Sequence, residues 1–146
     1  MIHFYNQDCN YLPANRSALR KWINEVIRRE GYAVGDINYI FCSSDYHRQM
    51  NRDFLGHDYY TDVITFEERE SRVEEGIVAG EVYIDVATVE DNAEIYNALP
   101  FNEMRRVIVH GALHLCGQKD KSPWAEKRMR RLENRYLKLL REEILK

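Results

Sequence analysis

The sequence predicts an α+β fold, a small mixed four-stranded sheet flanked by helices, on three observations. Strand-like runs and helical periods follow in the order β-α-β-α-β-β-α-α-α; two of the strand-like runs are joined by one polar loop, as in a hairpin; and no internal repeat, low-complexity tract or linker interrupts the 146 residues. A chain of this length lies within the reach of one core, so residues 1–146 are expected to form one domain with one site.

Each element has its own signal. IHFYN from Ile2 starts as a strand, and after a turn-prone stretch to Pro13 the residues Leu19, Trp22, Ile23, Val26 and Ile27 recur at helical spacing up to Gly31. Asp36 to Cys42 alternates apolar and polar residues as a second strand; Ser43 or Ser44 can then cap a short helix through Met50 and Phe54 to a stop near Gly56. VITFEE from Val63 and GIVAGEVYIDV from Gly76 flank the charged loop RESRVEE, a hairpin pattern. From Ala87 the chain reads as helix to Leu99, Pro100 breaks it, and Asn102 can cap a second helix through Cys116 that Gly117 closes. The last helix starts at Ser122 with Pro123 in its first turn, and Met129, Leu132, Tyr136, Leu139 or Leu140, and Ile144 form its packing stripe.

Composition sets the class: 45% hydrophobic and 31% charged residues suffice for a core and describe an ordinary soluble globular protein. The start MIHFYNQDCN carries no secretory pattern and no stretch of about 18 apolar residues occurs, so a cytoplasmic location without membrane association is expected. Cys9, Cys42 and Cys116 are odd in number, far apart and without a CxxC pair; they read as buried thiols of a reducing compartment. A net charge of -3 excludes a general polyanion trap, so a nucleic acid would have to bind a local patch.

The informative stretch is HGALHLCGQKD, residues 110 to 120. His110 and His114 stand four apart among the apolar residues Val107, Ile108, Val109, Leu113 and Leu115, so one helical turn brings both imidazoles to the same side. Gly117 ends the helix at little steric cost, and the chain can return so that Asp120 faces both rings. Three donors on one side leave a fourth position open, the arrangement of a catalytic zinc site on a zincin-like helix. Zinc is the expected metal, and the hard carboxylate leaves room for other divalent ions. A lone histidine on such a face would read as a hydrogen-bonded core residue; two at ligand spacing, then a stop glycine and an acidic residue, read as a metal site. Gly111, inside the helix, suggests close backbone approach.

HxxxHxxGxxD also fits the long zinc motif of metallopeptidases, in which a glutamate beside the first histidine is the general base. Gly111 stands there instead, and the peptidase mechanism loses its proton acceptor.

HGALHLCG from His110 to Gly117 resembles the hallmark of the YbeY family of metal-dependent endoribonucleases. NRDFLGHDYYTDVITF from Asn51 to Phe66 looks like the family's other signature, with Gly56, Asp58, Thr61, Asp62, Val63 and Phe66 in the expected places, and GEVYIDV from Gly80 is similar to a third block. The resemblance runs over roughly residues 36 to 121 with all three blocks in order, more specific than any one motif. It departs at two positions: Asp120 where the family commonly has histidine, and Leu55 where it often has an arginine before the glycine.

The resemblance implies a single zinc-dependent hydrolase domain that cleaves single-stranded RNA in ribosomal RNA maturation and ribosome quality control, with ribosomal RNA or the ribosome as partner and no DNA. The role of the arginine absent at Leu55 would be vacant or have moved to Arg52, and His57, Lys119 and Lys121 are the nearest candidates for phosphate contact. Two other readings stay open: the zinc metallopeptidase, and a non-catalytic ribosome assembly factor whose metal is structural. Trp22 and Trp124 lie on helical stripes and are expected to pack rather than stack on bases; KRMRR from Lys127, interleaved with Glu126 and Glu133, is expected to be a solvated face.

Overall fold

The computed structural model describes residues 1–56, 61–68 and 73–146. Four strands, β1 (Ile2–Gln7), β2 (Ala33–Cys42), β3 (Val63–Glu67) and β4 (Ile77–Asp85), form one mixed sheet in the order β1-β2-β4-β3. β1 and β4 both run parallel to the central β2, and β3 closes the far edge antiparallel to β4. Five α-helices flank the sheet: α1 (Arg16–Arg29), α2 (Ser44–Leu55), α3 (Val86–Ile95), α4 (Pro100–Leu115) and α5 (Pro123–Leu139), the last continuing as a π-helical turn over Leu140–Ile144. The expected α+β fold and element order are therefore present.

Parallel strands need crossovers, and α1 and α2 supply them. α1 buries Leu19, Trp22, Ile23, Val26 and Ile27, the residues of its 3.6-residue period. Ser43 caps α2 by accepting the Tyr46 N–H, and Gly56 ends it with φ 71°. α4 lies against β3 and β4 as well as α1, α3 and α5, which places it at the centre of the packing. A Cβ at Gly111 would fall 2.6 Å from Val82 Cγ1, so the close approach expected at this glycine is of α4 to the sheet.

Four sequence expectations shift. β2 begins at Ala33 rather than Asp36, because Ala33 and Val34 already pair with Ile77 and Val78 before an irregularity ahead of Ile37. α3 ends at Ile95 rather than Leu99: Asn97 adopts φ 54°, which no helix continues. α4 starts at Pro100 with Leu99 in the capping position, and Asn102 lies inside its first turn, its N–H donating to the Leu99 carbonyl. The two tryptophans also part company. Trp22 is fully buried and donates Nε1–H to the Tyr136 carbonyl at 2.7 Å, whereas Trp124 is 65% exposed.

α5 explains the last point. Its buried stripe runs through Met129, Leu132, Glu133, Tyr136 and Leu139, and Trp124, five residues before Met129, falls off that stripe. Glu133 falls on it and is 4% exposed, which corrects its expected place on a solvated face. Cys42 and Cys116 are buried, Cys9 half-buried; burial pushes the Cys42 and Cys116 thiols up to about 12, leaving no thiolate at neutral pH. No helix among the described residues is long and apolar enough to cross a membrane.

Candidate metal centre

α4 carries His110 and His114 one turn apart, their rings edge-to-face with centroids 4.5 Å apart. The helix then closes in a Schellman turn: the Gly117 N–H donates to the His114 carbonyl and the Gln118 N–H to the Leu113 carbonyl, with Gly117 at φ 91°. That reversal sends residues 118 to 120 back over the end of α4. Asp120 Oδ2 arrives 3.3 Å from His110 Nε2 and 3.2 Å from His114 Nε2. The three expected donors thus converge, one donor atom from each lying within 4.8 Å of the others.

Both imidazoles are held from behind through Nδ1. His110 Nδ1–H donates to Glu133 Oε2 at 2.6 Å, and His114 Nδ1–H donates to the Gln118 carbonyl at 3.0 Å. With the proton on Nδ1, each Nε2 presents a lone pair toward Asp120. Glu133 in turn accepts from Arg106 at 3.0 Å, so an arginine, a carboxylate and an imidazole form one chain across α4 and α5. Burial opposes charge on His110, but the Glu133 hydrogen bond and negative charge prevail and hold its imidazole above the ordinary histidine value. Burial, reinforced by the charge on His110, holds His114 below it. Glu133, despite burial, is kept below the ordinary carboxylate value by His110 and Arg106.

This donor set fits a divalent cation of zinc type. Bonds of about 2.0–2.1 Å in a tetrahedron separate neighbouring ligand atoms by about 3.3–3.4 Å, close to the separations Asp120 keeps from each Nε2. Three protein donors leave the remaining direction to the cleft.

The cleft has two arms that share His110 and Asp120. One runs between Asn51 and Leu55 of α2, the 61–65 segment and Lys121; the other passes Asp62, Tyr96, Arg106 and Arg130. Lys119 and Lys121 stand together beside His114 and Asp120, where the sequence placed them. Arg52 is half-exposed on α2 with its guanidinium 3.6 Å from the Asp53 carboxylate; among the described cleft residues α2 contributes Asn51 and Leu55. His57 lies outside the described residues. Glu133, Arg106 and Arg130 were missed by sequence reasoning, since only the packing of α5 on α4 brings them here. Asp62 belonged to a recognised block but carried no assigned role; it lines both arms of the cleft.

A mixed four-stranded sheet backing a helix with HxxxH, completed by a carboxylate from the next turn, defines an α+β protein whose zincin-like helix presents three donors that could hold a metal ion. Comparison with known proteins narrows the class. The family model for Endoribonuclease YbeY matches residues 3–141, and the chain belongs to that family. An Endoribonuclease YbeY from Cytophaga hutchinsonii is 42% identical over 138 residues, covering 94% of each chain. Another, from Porphyromonas gingivalis, is 44% identical over 143 residues, covering 98% of this chain and 92% of its own. The solution structure of TM1509 from Thermotoga maritima matches the fold with a TM-score of 0.66 at 27% identity, covering 96% of this chain and 89% of that one.

Proposed function

We propose that this protein is a zinc-dependent endoribonuclease that hydrolyses single-stranded RNA, acting in the cytoplasm in ribosomal RNA maturation and quality control. The observation that carries the reading is the convergence of Asp120 Oδ2 on His110 Nε2 and His114 Nε2 in a cleft edged by Lys119 and Lys121. Family membership supplies the RNA substrate.

His110, His114 and Asp120 would hold the ion; when bound, a divalent cation supplies Lewis acidity and a water of lowered pKa. The protein's own part is orientation and charge. Glu133 and the Gln118 carbonyl keep both rings in the Nδ1–H form and aimed at one point. Lys119 and Lys121 are exposed beside that point and attract the phosphate backbone, with Arg130 on the opposite arm. Asp62, between the two arms, is the carboxylate positioned to take up a proton near the scissile phosphate. Gly111, pressed against Val82, gives the helix no room for the glutamate that a peptidase would use.

Leu55 at the cleft favours one second reading, an RNA-binding assembly factor in which the ion only pins the loop after Gly117. Cleavage of a labelled single-stranded RNA by zinc-loaded protein tests both, with a chelated sample, Asp120→Ala and an unstructured peptide as controls. The endoribonuclease reading expects internal cuts that both chelation and Asp120→Ala abolish, and an intact peptide. Intact RNA with a cut peptide overturns it in favour of a peptidase; no cleavage of either leaves the assembly factor.

A further inference from the structure

Trp124 stands beside the metal-site region, the proposed mechanism leaves it unused, and its exposure is not that of a core residue. It forms one wall of a groove of about 510 Å³ between the turn after α4 and the first turns of α5. Lys119, Lys121 and Arg128 line the same groove, and no acidic residue is among its described lining residues. Gly117, Gln118, Lys119 and Lys121 are shared with the recess that holds His114 and Asp120, so the groove adjoins that recess.

The groove's parts are tied to that centre. Arg128 places its guanidinium 5.6 Å from the centre of the Trp124 ring and donates Nε–H to Gln118 Oε1 at 3.3 Å. Gln118 is the residue whose carbonyl receives the His114 Nδ1–H, and its own amide donates to Glu30 at 2.9 Å. An indole face with a guanidinium against it, bordered by two lysines, is a stacking surface with phosphate-binding charge around it. A protein partner would call for acidic side chains and a broader apolar patch; an unpaired nucleotide satisfies both the ring and the cations.

We propose that this groove binds a nucleotide of single-stranded RNA flanking the cleavage point, its base stacked on Trp124 and its phosphates on Lys119, Lys121 and Arg128. The proposal rests on the endoribonuclease reading and adds a subsite to it. Stacking is open only to unpaired bases, so the groove accounts for single-strand preference with little choice of sequence.

The test uses zinc-loaded full-length protein and a 2′-O-methyl single strand of mixed sequence, with Trp124→Ala and Trp124→Phe. Trp22 is buried, so quenching of the solvent-accessible tryptophan emission reports on Trp124. The strand should quench wild type and the same sequence as a duplex should quench little; with the strand end-labelled, anisotropy of the label, which needs no tryptophan, should show binding weakened by about ten-fold or more in Trp124→Ala and by less in Trp124→Phe. Unchanged affinity in Trp124→Ala, or equal quenching by the duplex, overturns the subsite. Parallel cleavage of unmodified RNA by wild type separates the two failures: cutting with no effect of Trp124→Ala on affinity removes the subsite alone, whereas neither binding nor cutting by wild type removes the endoribonuclease reading with it. Equal melting temperatures of the variants confirm that Trp124, off the buried stripe, is not a folding determinant.

Discussion

Glu133 Oε2 lies 2.6 Å from His110 Nδ1, joining residues 23 positions apart on two different helices. A carboxylate behind a ligating imidazole fixes its tautomer and raises its basicity, and Arg106 holds this carboxylate in place from the other side.

Replacing Glu133 by Gln keeps the side-chain size and removes the charge. Metal affinity, read by competition with a chromogenic chelator, should fall by about 10–100-fold. An unchanged affinity would show that the hydrogen bond serves packing only.

Lys119→Ala and Lys121→Ala should weaken single-stranded RNA binding with little change in metal affinity, because both side chains are exposed beside the donors. The slope of log K against log salt should become shallower by about 0.7 for each lysine that contacts a phosphate. Binding isotherms at several salt concentrations check this, and an unaltered slope removes the lysine from the interface.

Gly111→Ala sets helix propensity against sheet packing. Alanine gains about 1 kcal/mol in a helix interior, but its Cβ meets Val82 Cγ1 at 2.6 Å, and overpacking of this kind costs about 1–3 kcal/mol. Urea denaturation should show a net loss of up to about 2 kcal/mol. Val82→Ala in the same chain should recover part of that loss; additive effects in the double variant would mean that the clash is relieved elsewhere.

His47 makes stability depend on pH. It is fully buried, its Nε2–H donates to the Tyr83 carbonyl at 2.9 Å, and its Nδ1 meets no partner among the described residues. Burial holds its value below the ordinary histidine one, so the unfolded chain takes up a proton that the folded chain resists. Stability is therefore complete above about pH 6.5 and falls as pH drops below it, with a limiting slope of about 1.4 kcal/mol per pH unit until the folded group titrates. His110 acts oppositely in metal-free protein: its raised value contributes stability below about pH 6.5 that is lost as pH rises through the folded value. Gln at position 47 keeps a donor for the carbonyl and removes the titration, while leaving His110 untouched. The difference in stability between parent and His47→Gln should change steadily from pH 7 to pH 5; parallel curves would exclude His47 as the source.

Much of the candidate metal centre was legible because its geometry is local. Four residues make a helical turn, and a glycine ends a helix with a left-handed turn, so His110, His114, Gly117 and Asp120 carried their own arrangement within eleven residues. The same holds for the caps at Ser43 and Ser122, which accept the Tyr46 and Ala125 N–H groups. Boundaries moved where pairing or proline geometry intervened, at Ala33 and Pro100.

The sequence by itself determined the succession of elements, the helix that bears the histidines and the turn that returns Asp120, because periodicity and backbone sterics act over a few residues. Only the tertiary structure decided that β4 lies between β2 and β3, that Glu133 backs His110, and that Trp22 is buried while Trp124 faces solvent. Those outcomes depend on how distant elements pack. The rotation of α5 about its axis, set by Met129, Leu132, Tyr136 and Leu139 against the core, turned one glutamate inward and one tryptophan out.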